Sequence, residues 1–317
     1  MHPFVAFVVA IFTATSGLPR VARADTPPTA WDFVGRPEAR RAWLLHLTVR
    51  ERIEFDRNQE VRSLRAASLE QARALIEGAK ELLDVDVRLR FDLGEIYEAL
   101  GMHEPAIAAL TRAIHDAPSH PSVGDAWVTL AYAYAKMDRA KDERDAYVEY
   151  LEYVTDDRSR ATAVLNLAEA HMHLGEMTDA VRQYREAVSI GASLPNSIGT
   201  AETMALAVWG LAVALDRSGD APAALTEAAR ATKLDPGEAI IGHSPNVFFV
   251  PSYERLWYLG LAATVHARET TDGKKRAAAW QAVEATWTQY LLHADPDDRW
   301  RRLAETHRDR ARRMKVR

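Results

Sequence analysis

The spacing of small and large residues across 87–120 constrains this chain more than any other feature. Leu93, Gly94, Tyr97, Gly101, Ala106, Leu110, Ala113 and Pro118 read as two short amphipathic helices, with Gly101 in the turn and Pro118 closing the second. Leu93 and Tyr97 are four apart and share a face of the first helix, and Ala106, Leu110 and Ala113 form a stripe on the second. Gly94, Ala106 and Ala113 let the two backbones approach, while Tyr97 and Leu110 fill the space beside them. One such pair cannot bury its apolar face alone, so neighbouring segments must stack on it.

The stripe recurs along the chain. Ala72, Ile76 and Ala79 repeat Ala106, Leu110 and Ala113 at an offset of 34 residues, placing a second helix over about Ser68 to Leu83. Gln59, Glu60 and Ser63 stand where the Leu, Gly and Tyr of its first helix belong. The helical pattern from Pro37 to about Gln59 (Trp43, Leu44, Leu47, Ile53, Phe55) therefore reads as a displaced or extended helix acting as an N-terminal cap. Downstream, Trp127, Leu130, Ala131 and Tyr134, with Tyr147 and Tyr150, mark a weaker unit in which Asp138 replaces the turn glycine and Glu143 a small residue.

Leu167, Ala168, His171, Gly175, Ala180, Tyr184 and Ala187 mark the next unit, and Leu211, Ala212, Leu215, Gly219, Ala224, Ala228, Ala231 and Pro236 the one after. The step is 37 residues from Gly94 to Ala131 and again to Ala168, then 44 to Ala212, the excess falling in loops such as 191–197. Residues 238–252 break the rhythm, with Gly242, Pro245, Asn246 and Pro251 around an apolar Val247 to Val250. A further pair follows, one helix starting near Tyr253 and one over about Lys275 to His293. A last helix, about Asp298 to Met314, carries Trp300, Leu303, Ala304, His307, Ala311 and Met314 on one face and arginines on the other.

From about Ser68 to the C-terminus the pattern resembles the tetratricopeptide-repeat family. The resemblance implies an all-α fold, a right-handed α-solenoid of helix–turn–helix pairs ending in a capping helix. The corresponding plan is a leader over 1–24, a linker over 25–36, a cap with a degenerate repeat over 37–86, four units over 87–236, an inserted loop over 237–252, and a degenerate repeat with its capping helix over 253–317. The implied role is a non-catalytic scaffold or adaptor that binds a protein or peptide partner. In this family the first helices line a concave groove, and the matching positions here are Phe91, Glu95, Val128, Tyr132, Leu165, Glu169, Trp209 and Val213. Members that clamp a C-terminal carboxylate use Lys and Asn there, so Phe91 and Glu95 argue against that clamp. The mostly apolar strip either receives a partner segment or is filled by the chain itself, through the N-terminal helix or Val247 to Val250.

Other chemistries find little support. A net charge of −5 argues against general nucleic-acid binding, and the absence of cysteine removes disulfides, thiolate sites and cysteine nucleophiles. No cofactor or metal site is expected. His171 and His173 are two apart on a helix and point ~200° from each other, a packed histidine beside an exposed one. The 242–246 segment lacks the second glycine of a nucleophile elbow, and Gly273-Lys274 has no upstream phosphate-loop glycine. Asp295, Asp297 and Asp298 lack calcium-loop spacing, and Asp84 and Asp86 sit where they would cap the next helix.

Two rival readings stand beside the scaffold. The basic run Arg299, Arg301, Arg302, Arg308, Arg310, Arg312, Arg313, Lys315 and Arg317 is either a solvated cap or a contact to an anionic membrane surface or an acidic protein. The 238–252 insert could serve an enzyme as an active-site loop. Finally, the apolar run Phe4 to Phe12, followed by Ala22-Arg23-Ala24, has the form of a secretory leader cleaved after Ala24, and no later segment is apolar for long enough to cross a membrane. The expected location is periplasmic or secreted.

Overall fold

The computed structural model describes residues 7–8, 28–58, 62–195, 197–244, 247–249 and 251–315. The remainder of the expected leader lies outside the described residues. The chain forms two compact units, residues 14–155 and residues 156–317 with 1–13. Among the described residues each unit contains three helix pairs, six in all.

In the 14–155 unit the pairs are α1 (Pro37–Asn58) with α2 (Arg62–Glu77), α3 (Arg88–Ala99) with α4 (His103–Asp116), and α5 (Val123–Lys136) with α6 (Ala140–Leu151). Helix α1 packs on both α2 and α3, so the N-terminal segment is a regular member of the stack. Its Ala42, Val49 and Ile53 join Leu69, Ala72, Ile76, Leu89, Leu93 and Ile96 in one buried cluster. The repeat register held at Ala72 and Ile76 but not at the end of the helix. Helix α2 stops at Glu77, just before Gly78, and a 3-10 turn over Lys80–Asp84 replaces the expected last turn.

Leu110 of α4 sits directly against the backbone of Gly94, inside the volume a methyl group there would need. That contact explains the glycine, because any side chain would force α3 and α4 apart. The turns after α3, α7 and α9 place Gly101, Gly175 and Gly219 at φ 75°, 81° and 94°, the left-handed region that favours glycine. The turn after α5 does the same with Asp138 at φ 60°. An aspartate can adopt this conformation at a modest cost. Asp86 accepts a hydrogen bond from the Arg88 amide at 3.1 Å, but the N-cap position of α3 is Val87, and Asp84 pairs with Arg90.

The other unit contains α7 (Asp157–Leu174) with α8 (Met177–Ser193), α9 (Ile198–Arg217) with α10 (Ala221–Leu234), the short α11 (Ala239–His243), α12 (Arg255–Glu269) with α13 (Gly273–His293), and α14 (Arg301–Lys315). An aspartate caps the starts of α7, α10 and α13. Asp156 accepts from the Ser159 amide, Asp220 from Ala223 and Asp272 from Lys275. Among the described residues the sole extended pairing joins strand β1 (Phe7–Val8) antiparallel to strand β2 (Phe248–Phe249) in the insert.

Candidate functional site

The first helices of the 14–155 unit bring four of the expected binding residues to one region of α3 and α5, which pack on each other. Phe91 is buried and stacks on His120, with ring centroids 4.9 Å apart. Glu95 accepts from Arg50 Nη1 at 2.7 Å, and the same guanidinium reaches Asp92 at 3.5 Å. His46 Nδ1 lies 2.6 Å from the other oxygen of Asp92. Helix α1 thus supplies a histidine and an arginine to two carboxylates on α3. Sequence reasoning missed this four-residue cluster, although His46 and Arg50 stand four apart on α1, as two groups serving one neighbouring helix must.

Val128 and Tyr132 on α5 are half-buried, and Tyr132 meets Tyr147 edge-on at 6.4 Å. Titratable groups on α3, α4 and α5 stand nearby. Burial pushes the Glu98 carboxyl up to about 7, with Lys136 opposing the shift and Glu95 adding to it. Burial also lowers His103 and Lys136. This region therefore combines part-exposed apolar surface with a carboxyl that titrates near neutrality.

Below it lies Glu143, the residue that replaced a small side chain in the repeat. It is buried, neither carboxyl oxygen has a hydrogen-bond partner among the described residues, and burial followed by Asp138 raises its pKa well above the usual carboxylate range. In that state it is a neutral acid in the core.

In the 156–317 unit the equivalent positions are sealed. Leu165, Trp209 and Val213 expose nothing and Glu169 only 1%. Trp209 donates its indole N–H to Asp235 at 3.2 Å, and Asp235 also accepts from the Ile240 amide at 2.8 Å. Phe249 of the insert packs edge-on against Tyr258, which packs edge-on against Trp209. The strip is filled from within here, so the expectation of a partner contact at Leu165, Glu169, Trp209 and Val213 is corrected. The apolar Val247 to Val250 segment signalled this outcome, because so apolar a loop needs a buried place.

The same unit holds a polar core. Arg217 donates to Glu254 at 2.5 Å and lies over the Trp257 ring at 4.5 Å and the Trp300 ring at 5.1 Å. Trp257 donates to Asp216 at 3.0 Å, and His307 Nε2 lies 2.8 Å from the same oxygen. Tyr290 bridges Glu254 and Asp298, each at 3.2 Å. Burial, followed by the charges of Arg299 and Arg217, lowers His173 to about 4. His173 is thus half-buried and uncharged at neutral pH, and the expectation of an exposed histidine fails. His171 Nδ1 lies 2.6 Å from Glu176.

The remaining candidates fall into structural roles. Ser244 donates to Glu202 at 2.6 Å. Asp298 accepts from Tyr253, Tyr290 and the Trp300 amide. Much of the basic C-terminal run is engaged. Arg301 donates to the carbonyls of Leu291 and Ala294, and Arg312 and Lys315 both reach Glu284. Arg317 lies outside the described residues. Among the described residues no cluster of three metal-ligating side chains forms, and no helix is long and apolar enough to cross a membrane.

Comparison with known proteins gives two family matches, both described as tetratricopeptide repeat, over residues 87–115 and 128–195. No curated protein matches the chain. Among solved structures it is similar to YrrB, described as a TPR protein with an unusual peptide-binding site, at 17% identity and a TM-score of 0.46, over 55% of this chain and 81% of that one. It is also similar to a putative kinesin light chain with nearly identical TPR-like repeats from Podosopora anserina (21% identity, TM-score 0.46, 65% of this chain and 99% of that one). A third is the P58(IPK) TPR domain (13%, TM-score 0.38, 90% and 67%). At such identities and TM-scores these likenesses carry no argument about what this chain binds. With the family matches falling on α3 to α8, this all-α chain carries tetratricopeptide repeats over residues 87–115 and 128–195.

Proposed function

We propose that the chain is a non-catalytic scaffold of the cell envelope that holds a segment of a partner protein against α3 and α5. The tetratricopeptide-repeat architecture is one of interaction scaffolds, which supports a protein partner as a class. The observation that carries the choice of surface is a contrast in burial. Glu95, Val128 and Tyr132 keep exposed surface, whereas Leu165, Trp209 and Val213 keep none. Val128 and Tyr132 offer apolar contact, and Glu95, Glu98 and Lys136 supply a charged rim of both signs. An extended or helical segment with apolar side chains flanked by charge suits such a surface.

Envelope residence rests on the leader pattern. N-terminal sequencing of the protein recovered from cells should begin at Asp25; a protein that retains Met1 removes this part of the reading. For the binding surface the test is affinity capture from the envelope fraction with the wild type and with Val128→Glu/Tyr132→Glu. The proposal expects a protein recovered by the wild type and lost from the variant, with equal helical content and melting temperature. Recovery of the same proteins by both would move the site elsewhere.

A further inference from the structure

Helix α1 carries an apolar face that nothing among the described residues of its own unit covers. Leu44, Leu47 and Phe55 are 51%, 42% and 49% exposed, and Leu64 of α2 beside them is 49% exposed. The three α1 residues lie within one quadrant or so of the helix surface, opposite Ala42, Val49 and Ile53, which face the core. A shallow depression of about 430 Å³ between α1 and α2, floored by Ala67 and Ser68 and flanked by Thr48, Phe55 and Leu64, continues the patch. We propose that this face is a homodimer interface in which α1 of one copy lies antiparallel to α1 of a second copy, about a two-fold axis at Leu47.

The charge pattern selects a second copy as the occupant. Arg40, Leu44, Leu47, Glu51 and Glu54 follow alternating steps of four and three residues, all exposed. That spacing makes a straight seam along a helix. The seam is basic at its N-terminal end, apolar in the middle and acidic at its C-terminal end. Such a sequence complements itself only when two helices run antiparallel. With the axis at Leu47, Arg40 and Glu54 each lie seven residues from it, ~10 Å at 1.5 Å per residue. Arg40 of one copy then stands level with Glu54 of the other across the seam, and the pair forms twice. Leu47 meets Leu47 on the axis, and Leu44 fills the space beside it. In a parallel arrangement like charges would face each other at both ends. An isologous contact closes after two copies and leaves no patch free for further growth.

The interface is separate from the α3 and α5 surface, and its test touches only α1. Sedimentation velocity of the purified full chain at micromolar concentration should show a dimer. Leu44→Glu/Leu47→Glu buries charge twice across the axis and should weaken the dimer by more than about a hundredfold, leaving a monomer with unchanged helical content and melting. Glu54→Arg and Arg40→Glu should each weaken it by about tenfold, and the double reversal Arg40→Glu/Glu54→Arg should restore it. A monomeric wild type overturns the proposal, as does a dimer that survives the leucine variant. A double reversal no tighter than the single ones overturns the antiparallel pairing and with it the proposal.

Discussion

Arg217 holds Glu254 at 2.5 Å in the interior of the 156–317 unit, where the two side chains are 4% and 1% exposed. The second carboxylate oxygen takes the Tyr290 hydroxyl, so the acid is satisfied on both sides. A buried pair of this kind contributes little net stability, but removing one partner strands the other. Arg217→Met should therefore cost about 3–5 kcal/mol in chemical denaturation. Adding Glu254→Gln to it should recover part of the loss, which separates the stranded charge from lost packing.

Substitution at Gly94 tests the repeat register directly. Leu110 occupies the place of a side chain there. Gly94→Leu should destabilise by about 1–3 kcal/mol or more through overpacking, and Gly94→Ala by less. A melting temperature equal to the wild type's would mean that α3 and α4 do not meet at this residue.

Trp209→Glu distinguishes a filled strip from an open one. With Trp209 fully buried and its N–H on Asp235, a carboxylate there would lose the packing and stand beside a buried acid. A loss above about 4 kcal/mol is expected, visible as unfolding of the unit under mild denaturant. A folded variant that merely failed to bind a partner would restore the open-groove reading.

The two units respond to pH in opposite senses. His173 falls to about 4 through burial and the nearby Arg299 and Arg217, from an ordinary value of 6.5. Its neutral form is the one the fold accepts, so its contribution is present above 6.5 and is lost as pH falls through about 4. Glu98 rises to about 7 from 4.5, so its contribution is present below 4.5 and is lost as pH rises through about 7. Segment-resolved hydrogen exchange should show α7 opening on acidification and α3 opening toward neutrality. His173→Phe should flatten the first response and Glu98→Gln the second.

Much of the fold was legible because the signal was local. Gly94, Ala106, Ala113 and their copies mark close helix contacts within a pair, and such contacts depend on residues a few tens apart. The end of α2 was not legible, since Ala79 keeps the spacing of the stripe while Gly78 and the following 3-10 turn take it off the helix. The expected binding positions do lie on first helices, but which of them keep exposed surface was left open by the sequence. What covers Trp209 is Tyr258 and, behind it, Phe249, contacts that no periodic rule encodes. The Arg217 to Glu254 pair escaped for the same reason. Its partners sit on either side of the insert, where the repeat register is broken.

One contact bears on how the chain reaches its native state during synthesis. His307 of α14 stacks on Trp287 at 4.5 Å and meets Asp216 across a separation of 91 residues, while Arg301 takes the carbonyls that α13 leaves open. The core around Trp257 therefore cannot close until the last helix has emerged from the ribosome. Until then Asp216 and the tryptophans stay solvated, and a nascent chain halted short of α14 would present aromatic surface to chaperones and proteases. Termination within α14 should for that reason lower abundance sharply.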